Sequence, residues 1–409
     1  MLERVLVNLA DIDLCDPDRY VDAVPHEMFS TLRREAPVYW HDRPGDVGFW
    51  CVTRHADIVT VNRDASLFSS WEKSALMNTP PDDASLEMQR MMLLNMDPPQ
   101  HTQLRKVVNR GFTPRRIREL MTVLEERAQH IVDDIIQKGS CDFVSEVAAE
   151  LPLQAIAEFL GVPQEDRRKL FDWSNRLIGF DDPEFGTSEE RATEAAAEIY
   201  AYAEGLASDR IANPRDDIVT ALVTAEVDGE ALTTSEFDLF FLLLAVAGNE
   251  TTRNAISHGM LALIEHPDQR QRLLDDPTLI DSAIEEMLRW ATPVMHFRRT
   301  ATKDLELHGQ TIKAGDGVIM WHMSANRDED VFDDSFAFDV GREHNPHSMH
   351  VAFGGGGPHF CLGANLARAE MKVMFEALLP RIPGMELSAP PRRLRSNFIN
   401  GLKEMPVSW

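Results

Sequence analysis

HNPHSMHVAFGGGGPHFCLGANLARAEM, His344 to Met371, gathers four histidines, four consecutive glycines and one cysteine into a single span. Three chemistries compete for these residues. Zinc would draw imidazole and thiolate from His344, His347, His350, His359 and Cys361. The Asn345-Pro346 pair works against a regular helix, so the H-x2-H-x2-H spacing need not place the histidines on one face, and the glycine run separates them from the thiol. Phosphate binding would need the Gly-Lys-Ser/Thr that ends a nucleotide loop, and here the glycines run into Pro358 and His359 instead. A third reading starts at Cys361, which directly precedes a predicted helix with apolar residues at Leu362, Leu366, Ala369, Val373 and Ala377. A thiol at a helix N-terminus meets unpaired N–H groups and the positive end of the dipole, which favour its thiolate. Glycines on both sides, Gly354 and Gly363 among them, let the backbone approach a flat ligand. This suits an anionic sulfur ligand to a planar cofactor. A buried, inert cysteine after a tight turn has the same pattern, and the local residues leave both readings open.

Outward from this stretch, the chain of 409 residues is 44% apolar, enough to bury a large core and long enough for two or three domains. With no Ser/Gly-rich linker, low-complexity tract or internal repeat, the expectation is one domain over residues 1–409. The opening MLERVLVNLADIDLCDPD is too short in its apolar part for a leader, and the longest strongly apolar run, Leu239 to Ala247, is about half of what a bilayer span requires. A cytoplasmic protein without a membrane anchor is expected. Cys15, Cys51, Cys141 and Cys361 contain no CxxC pair, which argues for reduced thiols. Net charge is −26, from 41 basic and 67 acidic residues, a field that repels nucleic acid and anionic membrane. Against it stands a basic island of Arg105, Lys106, Arg110, Arg115, Arg116 and Arg118, which on charge alone reads as a solvated helical face.

Helical periodicity dominates, most clearly over Arg115 to Gln137, Ser188 to Arg210, Ser235 to Glu265 and Leu279 to Trp290. Strands are predicted at Trp50 to Thr53, Leu305 to Leu307, Thr311 to Ile312 and Val318 to Trp321, with turns at HGQ and AGDG. The fold class is therefore mainly α with small β-sheets. Thr233 and Glu236 form a capping box for a helix that continues to Pro267, close to 50 Å long at about 1.5 Å per residue. Its first half, FDLFFLLLAVAG, is apolar nearly all round, as in a helix through a core. In its middle the polar AGNETT, Ala247 to Thr252, asks for a functional explanation.

FGGGGPHFCLG resembles the haem-binding loop of the cytochrome P450 family, F-x-x-G-x-[HR]-x-C-x-G, with Cys361 at the axial thiolate position. Phe353 lies one residue further from the cysteine than the general pattern has it, as in a bacterial subgroup that oxidises steroids and methyl-branched lipids. AGNETT is similar to the family's [AG]-G-x-[DE]-T-[TS] oxygen-activation motif, which puts Glu250 and Thr251 in the acid and alcohol positions. Ala247, Gly248 and Thr251, at i, i+1 and i+4, are then expected to leave a small groove for dioxygen, although Thr251 could equally back-bond to the carbonyl of Ala247. Glu286 and Arg289 match E-x-x-R, and Arg342 in FDVGREHNP the third member of its ion network. His101 and Arg105 of HTQLR, with Arg299 and His359, fall where relatives hold haem propionates.

The resemblance implies a P450 fold: one triangular-prism-like domain with haem b between the long central helix and the Cys-loop helix. It implies a monooxygenase that uses O2 and takes electrons from NAD(P)H through ferredoxin reductase and ferredoxin, the latter steered to the basic island. Glu250 and Thr251 would relay protons. Family position puts Met92, Leu94, Leu243, Leu244, Val294, Met295, Phe297 and Phe398 in a hydrophobic substrate pocket, with Met88, Met91 and Met96 of the same loop adding adaptable sulfur. The expected substrate is the terminal methyl of a branched lipid, terpenoid or steroid side chain, with a macrolide or other polyketide as the alternative. A peroxide-driven enzyme, a haem-thiolate protein without turnover and a zinc hydrolase are the rival classes.

Overall fold

The computed structural model describes residues 7–43, 45–109, 112–179, 181–185, 189–215, 217–227, 230–344 and 349–409. Arg110, Ser188, Asn345, Pro346 and His347, singled out above, lie outside them, as does the side chain of Arg116. Helix Thr234–Glu265 is the axis of the molecule. Its start is the expected capping box: Thr233 Oγ1 accepts from the Glu236 amide at 3.2 Å, and Glu236 Oε2 accepts from the Thr233 amide at 2.9 Å. It runs unbroken through AGNETT to His266, where Pro267 opens the next helix. Helices Glu150–Leu160, Arg167–Ile178, Glu189–Ala212 and Ile280–Ala291 pack around it, which is why so little of its surface is polar.

The β portion is small. Its main sheet has five strands in the order Val38–His41, Phe49–Val52, Gly317–Trp321, His296–Ala301, Phe68–Ser69, antiparallel except where Gly317–Trp321 runs parallel to Phe49–Val52. Gly317–Trp321 is buried at every position because it lies in the middle and is covered on both faces. The short hairpin Leu305–Leu307 and Gln310–Ile312 turns at His308 and Gly309, both at positive φ. The predicted helices and strands lie within a few residues of these. Strands Val38–His41 and His296–Ala301 are additional, as are the short Phe68–Ser69 and Ser140–Asp142, whose partners come from distant parts of the chain.

The span that opens the analysis becomes a closed loop followed by helix Ala364–Leu378. The Cys361 amide donates to the Phe353 carbonyl at 3.0 Å, and the Gly354 amide to Val351 at 2.8 Å. Gly354, Gly355, Gly356 and Gly357 all have positive φ, a run that no residue with a Cβ sustains. Three of them also touch helix His55–Arg63 or its neighbour Val351: a Cβ on Gly357 would come within 2.1 Å of the Asn62 carbonyl, and one on Gly356 within 2.9 Å of Arg63 Nε.

A buried ion cluster seats this loop. Arg289 and Glu286, both with fully buried side chains, form two hydrogen bonds of 2.7 Å. Arg289 Nη1 donates to the carbonyls of Asn326 and Ser335, each at 2.8 Å, and Arg342 Nε reaches Glu286 at 3.1 Å. Burial pushes the Glu286 carboxyl up, but hydrogen bonds from Arg289 and His344 and the charges of Arg289 and Arg342 outweigh it and hold the carboxyl at about 2. Next to it, Glu285 binds His350 at 3.0 Å and Arg368 at 2.9 Å, and the Arg368 guanidinium lies 4.6 Å from the Phe353 ring centroid. An ordinary i, i+3 surface pair is worth a few tenths of a kcal/mol; a buried, fully hydrogen-bonded one is costly to break.

Replacing Glu286 by Gln should lower the unfolding free energy in chemical denaturation by on the order of 3 to 5 kcal/mol, because Arg289 is left buried without its counter-charge. The folded carboxyl sits below its ordinary 4.5, so its contribution is present above that value and is lost as pH falls toward about 2; the same variant should flatten the acid limb of stability in that window. Gly357→Ala should cost more than Ala substitution at Gly139, where φ is also positive but nothing lies within 4 Å, as read from the difference in melting temperature.

Candidate functional site

Cys361 differs from the other cysteines. Burial pushes the Cys15 and Cys141 thiols up to about 11 and about 12. Burial also raises Cys361, but the amides of Gly363 and Ala364 and the charges of Arg105 and Arg368 work against it. Helix Ala364–Leu378 starts three residues after the cysteine, with Gly363 as its N-cap, so Leu362 lies before the helix and the thiol meets the amides of a helix entry rather than heading the helix itself. The Arg105 guanidinium donates to the carbonyl of Phe360, on the residue before the cysteine.

Beside the thiol lie buried arginine and imidazole groups without matching anions. His101 and His359 have ring centroids 4.3 Å apart, and the charges of Arg105 and Arg299 bear on both rings. Burial and these neighbours lower His101 to about 4 and push His359 well below the usual imidazole range. Burial lowers Arg299 to about 10; its contacts are the carbonyl of Arg298 at 2.7 Å and Asn62 Oδ1 at 3.4 Å. The nearest carboxylate, Asp97, is taken up by the Ser69 hydroxyl at 2.5 Å and the Ser70 amide at 2.8 Å. Both ring nitrogens of His101, and both of His322, are buried without a hydrogen-bond partner. Such a cluster favours a ligand that brings carboxylates. The backbone provides space next to it: Gly363 has nothing within 4 Å of where a Cβ would stand, and Gly354 only the His359 carbonyl at 3.8 Å. Open glycine faces beside a thiol whose burial is offset by amides and guanidinium charges, together with a buried arginine and imidazoles lacking acceptors, fit a planar, dianionic metal cofactor such as haem.

The long helix contributes one accessible stripe. Leu243, Ala247 and Thr251, at i, i+4 and i+8, retain solvent access, whereas Phe240, Phe241 and Leu244 turn toward neighbouring helices. Two expectations are corrected here. Leu244 is buried in the helix-packing core with Phe237 and Phe241. Gly248 keeps partial solvent access but also faces Ile156 of helix Glu150–Leu160, where a Cβ would come within 2.8 Å, so its smallness is required for helix packing and is not reserved for the groove. Thr251 Oγ1 does donate to the Ala247 carbonyl, at 2.8 Å. Glu250 is buried and bound to Arg253, three residues on and on the same side of the helix.

Val294, Phe297 and Phe398 are half-buried and close together: Val294 bridges to Ile399, and the Phe297 and Phe398 rings are 5.8 Å apart. Phe297 and Arg299 share one face of strand His296–Ala301, which links the apolar wall to the cation cluster. Met92 and Leu94 are half-buried as well. Met295 is another correction: its amide and carbonyl are both hydrogen-bonded, to Phe398 and Met323, and its side chain is fully buried with Phe29 and Trp321 on the other side of the sheet. Met96 is likewise buried in the helical core, and Met88 is exposed. His322, its ring edge-on to Phe297 at 5.9 Å and affected by the charge of Arg299, joins the site without any motif having marked it.

The zinc reading fails on geometry. His350 is committed to Glu285 and to the Ala352 amide, His359 pairs with His101 and Ser70, and His344 lies 3.6 Å from Glu286. Among the described residues, the group of His, Cys and acid side chains whose ligand atoms converge is Asp13, Cys15 and His41, elsewhere in the chain.

Comparison with known proteins agrees with this arrangement. Residues 153–382 match the model of the family described as Cytochrome P450. A steroid C26-monooxygenase of Rhodococcus jostii is 48% identical over 97% of this chain and 84% of its own length. A methyl-branched lipid omega-hydroxylase of Mycobacterium tuberculosis is 43% identical, over 98% and 96%. A solved Mycobacterium marinum cytochrome P450 in complex with pseudoionone superposes with a TM-score of 0.91 at 40% identity, covering all of both chains. Among the described residues no helix is long and apolar enough to cross a membrane. With fold, cysteine loop and relatives in agreement over nearly its whole length, this chain belongs to the cytochrome P450 family, whose members use haem iron and dioxygen.

Proposed function

We propose that all 409 residues act as one cytoplasmic monooxygenase domain that binds haem b through Cys361 and hydroxylates the terminal methyl of a branched lipid, terpenoid or steroid side chain. The observation that carries this is the meeting of one amide-supported thiol with a buried Arg299 that has no carboxylate partner and with the imidazoles of His101 and His359. The substrate class rests on the half-buried apolar wall of Leu94, Leu243, Val294, Phe297 and Phe398 and on relatives named for steroid C26 and methyl-branched lipid oxidation. A pocket of this kind selects an aliphatic or alicyclic body by burial and leaves little to hydrogen-bond a polar one.

When bound, haem iron supplies the binding and reductive cleavage of dioxygen. The chain's own residues do the rest. Cys361, whose charged form the Gly363 and Ala364 amides favour against burial, would be the sulfur ligand that holds the iron. Arg299, His101 and His359 would hold the propionates, and Arg105, through Phe360, braces the loop. The apolar wall excludes water from the reacting carbon. Because the Thr251 hydroxyl proton is directed to Ala247, its oxygen lone pairs are left to accept a hydrogen bond from water on the accessible side, and Glu250 is the nearby store of protons. Electrons come from NAD(P)H through a reductase and an acidic ferredoxin.

In the reduced, carbon monoxide-treated protein, absorption should show the strong red shift given by thiolate coordination, and Cys361→Ser should abolish it while leaving the fold intact by circular dichroism. Thr251→Ala should keep substrate binding, read as the Soret shift, but lower product formed per NAD(P)H consumed by roughly tenfold or more, as expected when a proton-positioning group is lost. Branched lipids and steroids with an aliphatic side chain should shift the Soret band at lower concentrations than macrolides of similar size; the reverse order would overturn the substrate reading.

A further inference from the structure

Strand Val38–His41 ends on a histidine whose ring is held by its neighbours. The His41 ring stacks on Phe49 of the adjoining strand, with centroids 5.1 Å apart and planes at 6°, and Tyr39 stands edge-on to it at 6.4 Å. Nδ1 lies 2.7 Å from the Asp42 carbonyl, which can only accept, so Nδ1 carries the proton and Nε2 keeps the lone pair. That lone pair faces segment 13–15: Nε2 is 3.0 Å from the Leu14 amide and 3.8 Å from Asp13 Oδ1. The Cys15 thiol joins them, and the ligand atoms of Asp13, Cys15 and His41 all lie within 4.8 Å of one another. The segment is pinned through its carbonyls. The Tyr20 hydroxyl donates to Leu14 at 3.2 Å, and Asn397 Nδ2 donates to Leu14 and Cys15 at 3.2 and 3.1 Å. Asp13 and Cys15 are half-buried, which leaves an entering ion a path. The charges of Asp13, Asp42 and Asp46 bear on the thiol or the ring; Arg43 opposes them, but its guanidinium is taken up by Asp46 at 2.8 Å and Asn78 at 2.6 Å.

We propose that Asp13, Cys15 and His41 form a site for a borderline-soft divalent cation, zinc being the ion that fits, which clamps segment 13–15 onto the edge of the main sheet. Zinc takes mixed carboxylate, thiolate and imidazole sets with bonds of about 2.0 to 2.3 Å, which puts neighbouring ligand atoms about 3.3 to 3.8 Å apart at the corners of a tetrahedron. Asp13 Oδ1 and His41 Nε2 stand at that separation already, and closing the rest of the triad to it takes a movement of about 1 Å or less. The Asp42 carbonyl on Nδ1 is the outer partner that fixes tautomer and ring orientation in metal-binding imidazoles. On binding, the ion takes the Nε2 lone pair from the Leu14 amide, and the thiol gives its proton to solvent. The carbonyl anchors at Tyr20 and Asn397 are untouched by this exchange, so the segment keeps its place. Water completes the fourth position, because among the described residues no further His, Cys or acid joins the group.

The test is zinc titration of the haem-loaded full chain, with bound metal measured by equilibrium dialysis and its ligands read at the zinc X-ray absorption edge, where haem iron does not interfere. The parent protein should hold zinc through one sulfur at about 2.3 Å and lighter atoms at about 2.0 to 2.2 Å. Cys15→Ser should remove the sulfur and weaken binding by more than the roughly tenfold that loss of an outer partner costs, whereas Cys141→Ser should change neither. Asp13→Asn, at a half-exposed position that the fold tolerates, should weaken binding to a similar degree. Saturating zinc should raise the melting temperature of the parent and leave that of Cys15→Ser where it was. A zinc spectrum without sulfur, or one that Cys15→Ser leaves unaltered, overturns the proposal. Equal affinities in the parent and Asp13→Asn do the same.

Discussion

The hydrogen bond from the Cys361 amide to the Phe353 carbonyl closes the loop on which the rest of this site depends. It forms only because four consecutive residues between its ends hold positive φ, a backbone path open to glycine and steeply uphill for anything else. The loop is then pressed from outside by Asn62 and Arg63 and clamped from within by Arg368, which spans Phe353 and Glu285. Thiol, amides and helix entry arrive in register as a consequence, and the amides of Gly363 and Ala364 with the charges of Arg105 and Arg368 offset part of what burial costs the charged sulfur.

Two kinds of buried charge coexist in the molecule, and their difference separates support from function. Glu286 with Arg289, and Glu285 with Arg368 and His350, are saturated: nearly every donor meets an acceptor, and the carboxyls sit at about 2. Such clusters are strong where complete and intolerant of substitution. Arg299, His101 and His322 are the opposite case, buried donors in excess of acceptors. A folded protein tolerates such an excess when a ligand supplies the missing charge, which in this family is the carboxylate-bearing haem.

Legibility in the sequence followed the range of the interactions. The capping box at Thr233, the long helix, Glu286 with Arg289 and the turn at His308-Gly309 depend on residues a few positions apart, and each is visible in the order of amino acids. The direction in which a side chain points was less accessible. Leu244 and Gly248 sit one residue from Leu243 and Ala247 in a helix apolar on all sides, so no pattern distinguished the cavity face from the packing face until Ile156 and the surrounding helices took their places. Met295 was misplaced for a similar reason, being one residue from Val294 but claimed by Phe29 and Trp321.

The amino-acid order by itself determined the cysteine loop, the helix inventory and the family, because glycine conformations, cap chemistry and motif spacing are local properties that survive without knowledge of neighbours. What tertiary structure alone decided was the partnership of distant groups: Arg299 beside His101 and His359, His322 behind Phe297, and Arg253 shared between Glu250 and Asn175. These are separated by tens to hundreds of residues along the chain, and only the burial that accompanies packing turns their proximity into a shifted charge, an unpaired donor or a site.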